Sequence, residues 1–160
     1  MFDRDGRTLW FTGQSGVFGR LDTQGGAMTV FDAPRGAGPF GIATCPDGEV
    51  YYASLAGSYV GRIQKETGGA VVLAPPTANQ GARRVWCDSK SRVWVAEWSA
   101  GQLAVYWGEN SIKHFDPAAQ AWVGHAHPQP NANVRQLLGR PGEVWGAMSG
   151  QDKLVVARAP

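Results

Sequence analysis

An all-β fold assembled from one repeated unit is what this sequence predicts, and three observations predict it. The first is composition. Gly 22 and Pro 10 leave no room for long helices, while 43% hydrophobic residues and seven Trp supply apolar area that only a packed interior uses. The second is a short aromatic strand written four times, as LWFTG from Leu9, VYYAS from Val50, VWVAE from Val93 and VWGAM from Val144. The third is the punctuation between segments, Asp-Gly, Gly-Ser or Gly-Gly, which are the residues of tight turns joining antiparallel strands.

The copies have a register. Phe40 to Ser54 aligns without a gap on Arg83 to Glu97 at a shift of 43 residues. Trp10 matches Tyr51 at a shift of 41, and Trp94 matches Trp145 at a shift of 51. Downstream of each aromatic strand comes a second apolar stretch: VFGRLD at Val17, YVGRIQ at Tyr59, LAVYW at Leu103 and LVVAR at Leu154. A further one follows in MTVFDAP and AVVLAPP. A period near 42 residues with four short strands per unit is the pattern of a β-propeller blade. The units run over 5–34, 38–76, 81–128 and 133–158 as one domain of about four partial blades, each a four-stranded antiparallel sheet. Each LWFTG-type segment reads as the second strand of a blade, apolar on both faces because a neighbouring blade covers each side. Trp10, Tyr51, Trp94 and Trp145 are therefore expected to fill the gaps between blades.

Two irregularities bear on the ring. The chain opens on a second strand and closes on a third, so its ends do not complement one another, and four blades are the lower limit of closed rings. The sequence predicts an incomplete ring whose open blade edges favour self-association. The third unit also holds two third-strand signals, Leu103 to Trp107 and Ile112 to Phe115. The latter aligns on Val60 to Ile63 at a shift of 52 residues. We read this as the trace of a lost blade, which sets Leu103 to Trp107 against Val93 to Glu97 and makes Ile112 to Phe115 an additional strand or pushes it outward; a hairpin insertion is the alternative.

The net charge of +2, with Arg83-Arg84 as the densest basic spot, argues against a nucleic-acid surface. No apolar run approaches the ~18 residues of a membrane-spanning helix, so no membrane partner is expected. The opening MFDRDGRTLWF has neither the basic region nor the apolar core of a signal peptide, which leaves a cytoplasmic setting as the default. Cys87 aligns on Thr44, so Cys45 and Cys87 have opposite parities on equivalent strands. Side chains of opposite parity point to opposite faces. Two separate thiols are expected, not a disulfide.

The stretch GPFGIATCPDGEVYYAS followed by YVGRI resembles the streptogramin lyase (virginiamycin B lyase) propeller family, in its C-terminal part. That family repeats Gly-Pro-x-Gly-Ile, Pro-Asp-Gly, a Trp-Phe-Thr-Glu-like strand and Ile-Gly-Arg-Ile or Leu; LWFTG, FGRLD and GARRVWCDSKSRVWVAEW fit the same scheme. The resemblance implies a carbon–oxygen lyase that opens cyclic depsipeptide antibiotics of the streptogramin B type by elimination at an ester, and hence a role in antibiotic resistance. It also implies a small-molecule or peptide ligand, a His base, a Glu and a bound Mg²⁺ around the central axis. The base takes the proton next to the carbonyl, and the cation stabilises the enolate-like charge. Carried over place by place, the functional His, third in Gly-Pro-x-Gly-Ile, corresponds here to Phe40, Arg83 or Val134. The functional Glu corresponds to Gly13, Ser54, Glu97 and Met148, of which only Glu97 matches. Arg83, Arg84 and Glu97 are the candidate site residues, able to grip an anionic group or to form an ion pair across the blade. The missing His and the ragged ends support the alternative, a non-catalytic binding module or an inactive remnant of a longer propeller.

The histidines lie elsewhere. His114 alternates with Lys113 and Phe115 in a third strand. His125 and His127 fall in the outer strand, with a spacing capable of metal binding, although a solvated edge strand accounts for them more simply. Asp22, Asp32, Asp47 and Asp116 stand at turns, where Asp accepts from backbone N–H groups.

Overall fold

In the computed structural model, which describes residues 1–77, 79–98, 112–125 and 132–158, the alternating segments become strands and no described residue is helical. Four antiparallel sheets follow one another along the chain. The first holds β1 (Thr8–Gly13), β2 (Val17–Asp22) and β3 (Met28–Asp32); the second β4 (Pro39–Thr44), β5 (Val50–Ser54), β6 (Tyr59–Gln64) and β7 (Gly69–Leu73). The third holds β8 (Ala82–Cys87), β9 (Val93–Glu97), β10 (Ile112–Asp116) and β11 (Ala121–His125); the fourth β12 (Val134–Arg140), β13 (Glu143–Met148) and β14 (Lys153–Arg158). Each sheet is a blade, and together they make part of a propeller ring. The first strands β4, β8 and β12 touch one another in succession, which makes them the innermost layer.

Turn chemistry holds the strands in register. Asp22 accepts from the N–H of Gln24, Asp47 from that of Glu49, and Asp116 from those of Ala118 and Ala119. Phe2 bridges to Leu9, so the first blade carries one bridged residue where its innermost strand would run.

Packing between blades follows a rule that only the stacked arrangement reveals. Tyr51 lies in the cluster between the second and third blades, whereas its equivalent Trp94 lies between the third and fourth. Equivalent side chains thus point the same way around the ring. Trp10 obeys the rule and is buried against the second blade. Trp145 obeys it too, but no described blade follows the fourth, so it is 38% exposed beside Leu138 (72%) and Leu154 (68%). The expectation that Trp145 fills an inter-blade gap is corrected accordingly.

The same rule overturns the reading of the cysteines. Cys45 and Cys87 form a disulfide, with Cα atoms 5.1 Å apart, that ties the second blade to the third. When blades stack, the forward face of one meets the backward face of the next. Opposite parity is therefore what brings two residues of equivalent strands together.

The third blade corrects a further expectation. Ile112–Asp116 pairs directly with β9, setting Ile112 opposite Ala96 and Phe115 opposite Val93, and so takes the third-strand place itself. It is not pushed outward. Leu103 to Trp107, which the lost-blade account set against Val93 to Glu97, lies outside the described residues.

Candidate functional site

At the start of each innermost strand the ladder skips. Pro39 pairs with Ser54 and then Ile42 with Tyr52; Ala82 pairs with Glu97 and then Arg84 with Ala96; Val134 pairs with Met148 and then Gln136 with Ala147. Three blades therefore carry an irregularity at one equivalent place, the kind of device that re-aims a side chain at a sheet's rim. The turn after β12 is one residue shorter than the turn after β8: Gly139 to Val144 encloses 140–143, whereas Cys87 to Val93 encloses 88–92. Inner-strand equivalence consequently moves by one, and Arg135 takes the place assigned from the sequence to Val134. Val134 is buried between the third and fourth blades. The set at the irregular place is Phe40, Arg83 and Arg135.

These side chains meet. The Arg83 guanidinium lies over the Phe40 ring at 5.1 Å and over the Trp98 ring at 5.6 Å, and the Arg135 guanidinium lies over Trp98 at 5.8 Å. Such contacts attract a cation to the negative face of the ring. Trp98 directly follows β9 and is fixed by its backbone N–H, which donates to the carbonyl of Gly81 at 3.1 Å. Burial, followed by the charges of Arg135 and Arg84, holds the Arg83 guanidinium below its ordinary pKa. Among the described residues, no ion-pair partner faces Arg83 or Arg135. Among the described residues, Arg83 Nε, Trp98 Nε1 and both side-chain amide atoms of Gln80 are buried without a hydrogen-bond partner. Gln80 itself is fully buried.

The other two candidates sit close by in the chain. Arg84 packs on Gly41 of the second blade, where an added Cβ would come within 2.9 Å of its Cα; only glycine allows the inner strands to approach this closely. Glu97 ends β9, fully buried, and accepts from Thr77 Oγ1 at 3.3 Å. Its Oε2 stands 3.9 Å from Lys113 Nζ, so among the described residues its ion pair is with β10 and not with either arginine.

The histidines form a second cluster. His114 and His125 bond through Nδ1 and Nε2 at 3.0 Å, and both rings pack on Trp94, with centroids 4.7 and 4.9 Å away. His125 is a half-buried member of an aromatic column, which corrects the picture of a solvated edge. Burial first, and then neighbouring positive charge, lowers both imidazole pKa values. His127 lies outside the described residues. Among the described residues, no group of three or more His, Cys, Asp or Glu is placed to hold a metal ion.

Sequence reasoning missed Gln80, Trp98 and Arg135. Comparing turn lengths between copies would have found Arg135; no local signal marks the other two. It also missed Asp88, whose carboxylate accepts from Trp94 Nε1 (2.9 Å), Arg92 Nε (2.7 Å) and the N–H groups of Lys90 and Arg92.

Neither a protein-family model nor a curated protein matches the chain. Solved structures do. A catalytically inactive virginiamycin B lyase from Staphylococcus aureus with quinupristin is 23% identical, with a TM-score of 0.81, over 99% of this chain and 50% of its own. A streptogramin B lyase is 26% identical, with a TM-score of 0.76, over 94% of this chain and 48% of its own. A nidogen/laminin complex matches at 16% identity and a TM-score of 0.74, over 98% of this chain and 57% of that one. The chain spans about half the length of the lyases it matches. These likenesses agree with the blades and their order: the protein is a β-propeller.

Proposed function

We propose that this chain is the ligand-binding part of a streptogramin-lyase-like propeller and does not open the streptogramin B ring by itself. The observation that carries the reading is the set Phe40, Arg83 and Arg135 at the place where the resemblance calls for a His base. Phenylalanine has no proton-accepting atom, and arginine stays protonated at any working pH. Glu97 is engaged with Lys113 and Thr77. A magnesium ion needs several oxygen ligands in octahedral array. The described residues at the starts of the innermost strands offer one carboxylate beside an ammonium, so they do not fit the ion. Likeness to a virginiamycin B lyase with quinupristin supports a cyclic peptide as ligand.

The test is incubation with a streptogramin B and added Mg²⁺. Mass spectrometry is expected to show the ring intact, while tryptophan fluorescence titrates to saturation. Turnover that vanishes in Glu97→Ala would restore the enzyme reading, and an absence of saturable binding would remove the ligand.

We further propose that the 160-residue chain self-associates through the face that bears Leu138, Trp145 and Leu154. Contiguous exposed apolar residues favour association. Light scattering at low micromolar concentration is expected to report a dimer or larger species. A Leu138→Lys, Leu154→Lys double variant is expected to shift it toward monomer; a monomeric parent chain would sink the proposal.

A further inference from the structure

We propose that Arg83, Trp98 and Arg135 form a binding site for a small organic carboxylate carried on an aromatic or apolar body. The inference rests on the reading of the axial end as a ligand site, but not on the identity of that ligand as a cyclic depsipeptide. Two guanidinium groups share one indole, each within 6 Å of its centroid. They come from different blades and repel one another, and among the described residues no carboxylate offsets them. Arg135 is exposed, but Arg83 is half-buried, and leaving its charge opposed by a like charge is unfavourable there.

The hydrogen-bonding inventory points the same way. Among the described residues, Arg83 Nε, Trp98 Nε1 and Gln80 Nε2 are three buried donors without acceptors, and Gln80 Oε1 lacks a donor there. Native proteins rarely leave buried donors unmatched, and several at one place call for a bound group rich in lone pairs. Gln80 stands three residues before Arg83, and the next residue, Gly81, is bonded to Trp98, so these groups lie on adjoining backbone. Water could satisfy the donors, but it would leave the two positive charges opposed. A carboxylate does both, and its geometry matches the planar fork of arginine. The Phe40 and Trp98 rings supply flat apolar walls for the body of such a ligand.

The probe is benzoate, titrated into the full chain by calorimetry and followed by tryptophan fluorescence. Benzamide, equal in shape but uncharged, is expected to bind at least tenfold more weakly, and inorganic phosphate more weakly than benzoate. Arg135→Gln is expected to lose at least tenfold in benzoate affinity, while its ligand-free melting temperature stays equal or rises because a repulsion is removed. Arg135→Lys, which keeps the charge without the stacked fork, is expected to fall between the two. Equal binding of benzoate and benzamide, or unchanged benzoate affinity in both variants, would overturn the proposal. Phosphate binding as tightly as benzoate would overturn the aromatic-carboxylate assignment. A parallel titration with a streptogramin B separates the two readings. Saturable binding of the antibiotic without binding of benzoate removes this site alone, and the converse removes the cyclic-peptide ligand alone.

Discussion

Cys87→Ser is expected to lower the stability of the chain by about 4 kcal/mol, the loop-closure value for a bridge between residues 42 apart in sequence. The bridge joins two blades that also pack through an apolar cluster including Tyr51, Val85, Val93 and Phe115. Its loss frees the second and third blades to separate in the unfolded ensemble without removing the packing that holds them when folded. A reductant should reproduce the loss in the parent chain and do nothing further to the variant. Urea unfolding with and without reductant reads this directly. Two thiols that react freely with a thiol reagent in the native protein would remove the bridge and the expectation together. Such a bridge persists where thiols are kept oxidised and is rare in a reducing cytosol, so the reduced and oxidised forms bracket the stability the chain can have.

Asp88→Ala is expected to cost about 3 kcal/mol at neutral pH, because it leaves the buried Trp94 N–H and the partly buried Arg92 guanidinium without their acceptor. The effect has a pH signature. Burial pushes the Asp88 carboxyl up, but hydrogen bonds from Trp94, Arg92 and Lys90 outweigh it and hold the group below its usual range. A carboxyl whose folded pKa is depressed contributes stability that is present above its unfolded pKa, near 3.9, and lost as pH falls through the folded value. The gap between the parent chain and Asp88→Ala should therefore be full at pH 7 and shrink progressively below about pH 4. Asp88→Asn, which keeps an acceptor but no charge, should lie between them. Chemical unfolding at a series of pH values checks it, and a deficit constant from pH 7 down to about pH 2 would show that the carboxylate charge plays no part.

How much of this was legible beforehand depends on the range of each interaction. Strand positions were legible because side-chain alternation and turn residues act over a few residues. VYYAS and VWVAE are wholly buried strands, as the apolar runs Val50 to Ala53 and Val93 to Ala96 require of all but their last residues. Asp22, Asp47 and Asp116 hold the turns expected of them. Ile112 to Phe115 carried a third-strand signal, and it is a third strand. Its neighbour Leu103 to Trp107 carried an equal signal, and local pattern alone had no means of choosing between them.

Arg83 was legible as a candidate because it aligns on Phe40 without a gap. Arg135 was not, since one residue fewer in a turn moves the inner strand by one place while the aromatic strand stays aligned. The His114–His125 pair escaped for a related reason: its members lie diagonally across two strands, and Trp94 brings them onto one face only when three strands pair.

The sequence by itself determined the repeat, the order of the blades and their strands except the third strand of the third blade, because periodicity and turn chemistry are properties of neighbouring residues. The tertiary structure alone decided which faces meet. Alternation assigns Cys45 and Cys87 to opposite faces whether the blades stack or not; stacking turns those opposite faces toward each other and closes the bridge. It likewise covers Trp94, leaves Trp145 open, and draws Arg83 and Arg135 from separate blades onto one indole. These outcomes depend on contacts between residues some 40 to 50 apart, which the rules governing a single strand do not encode.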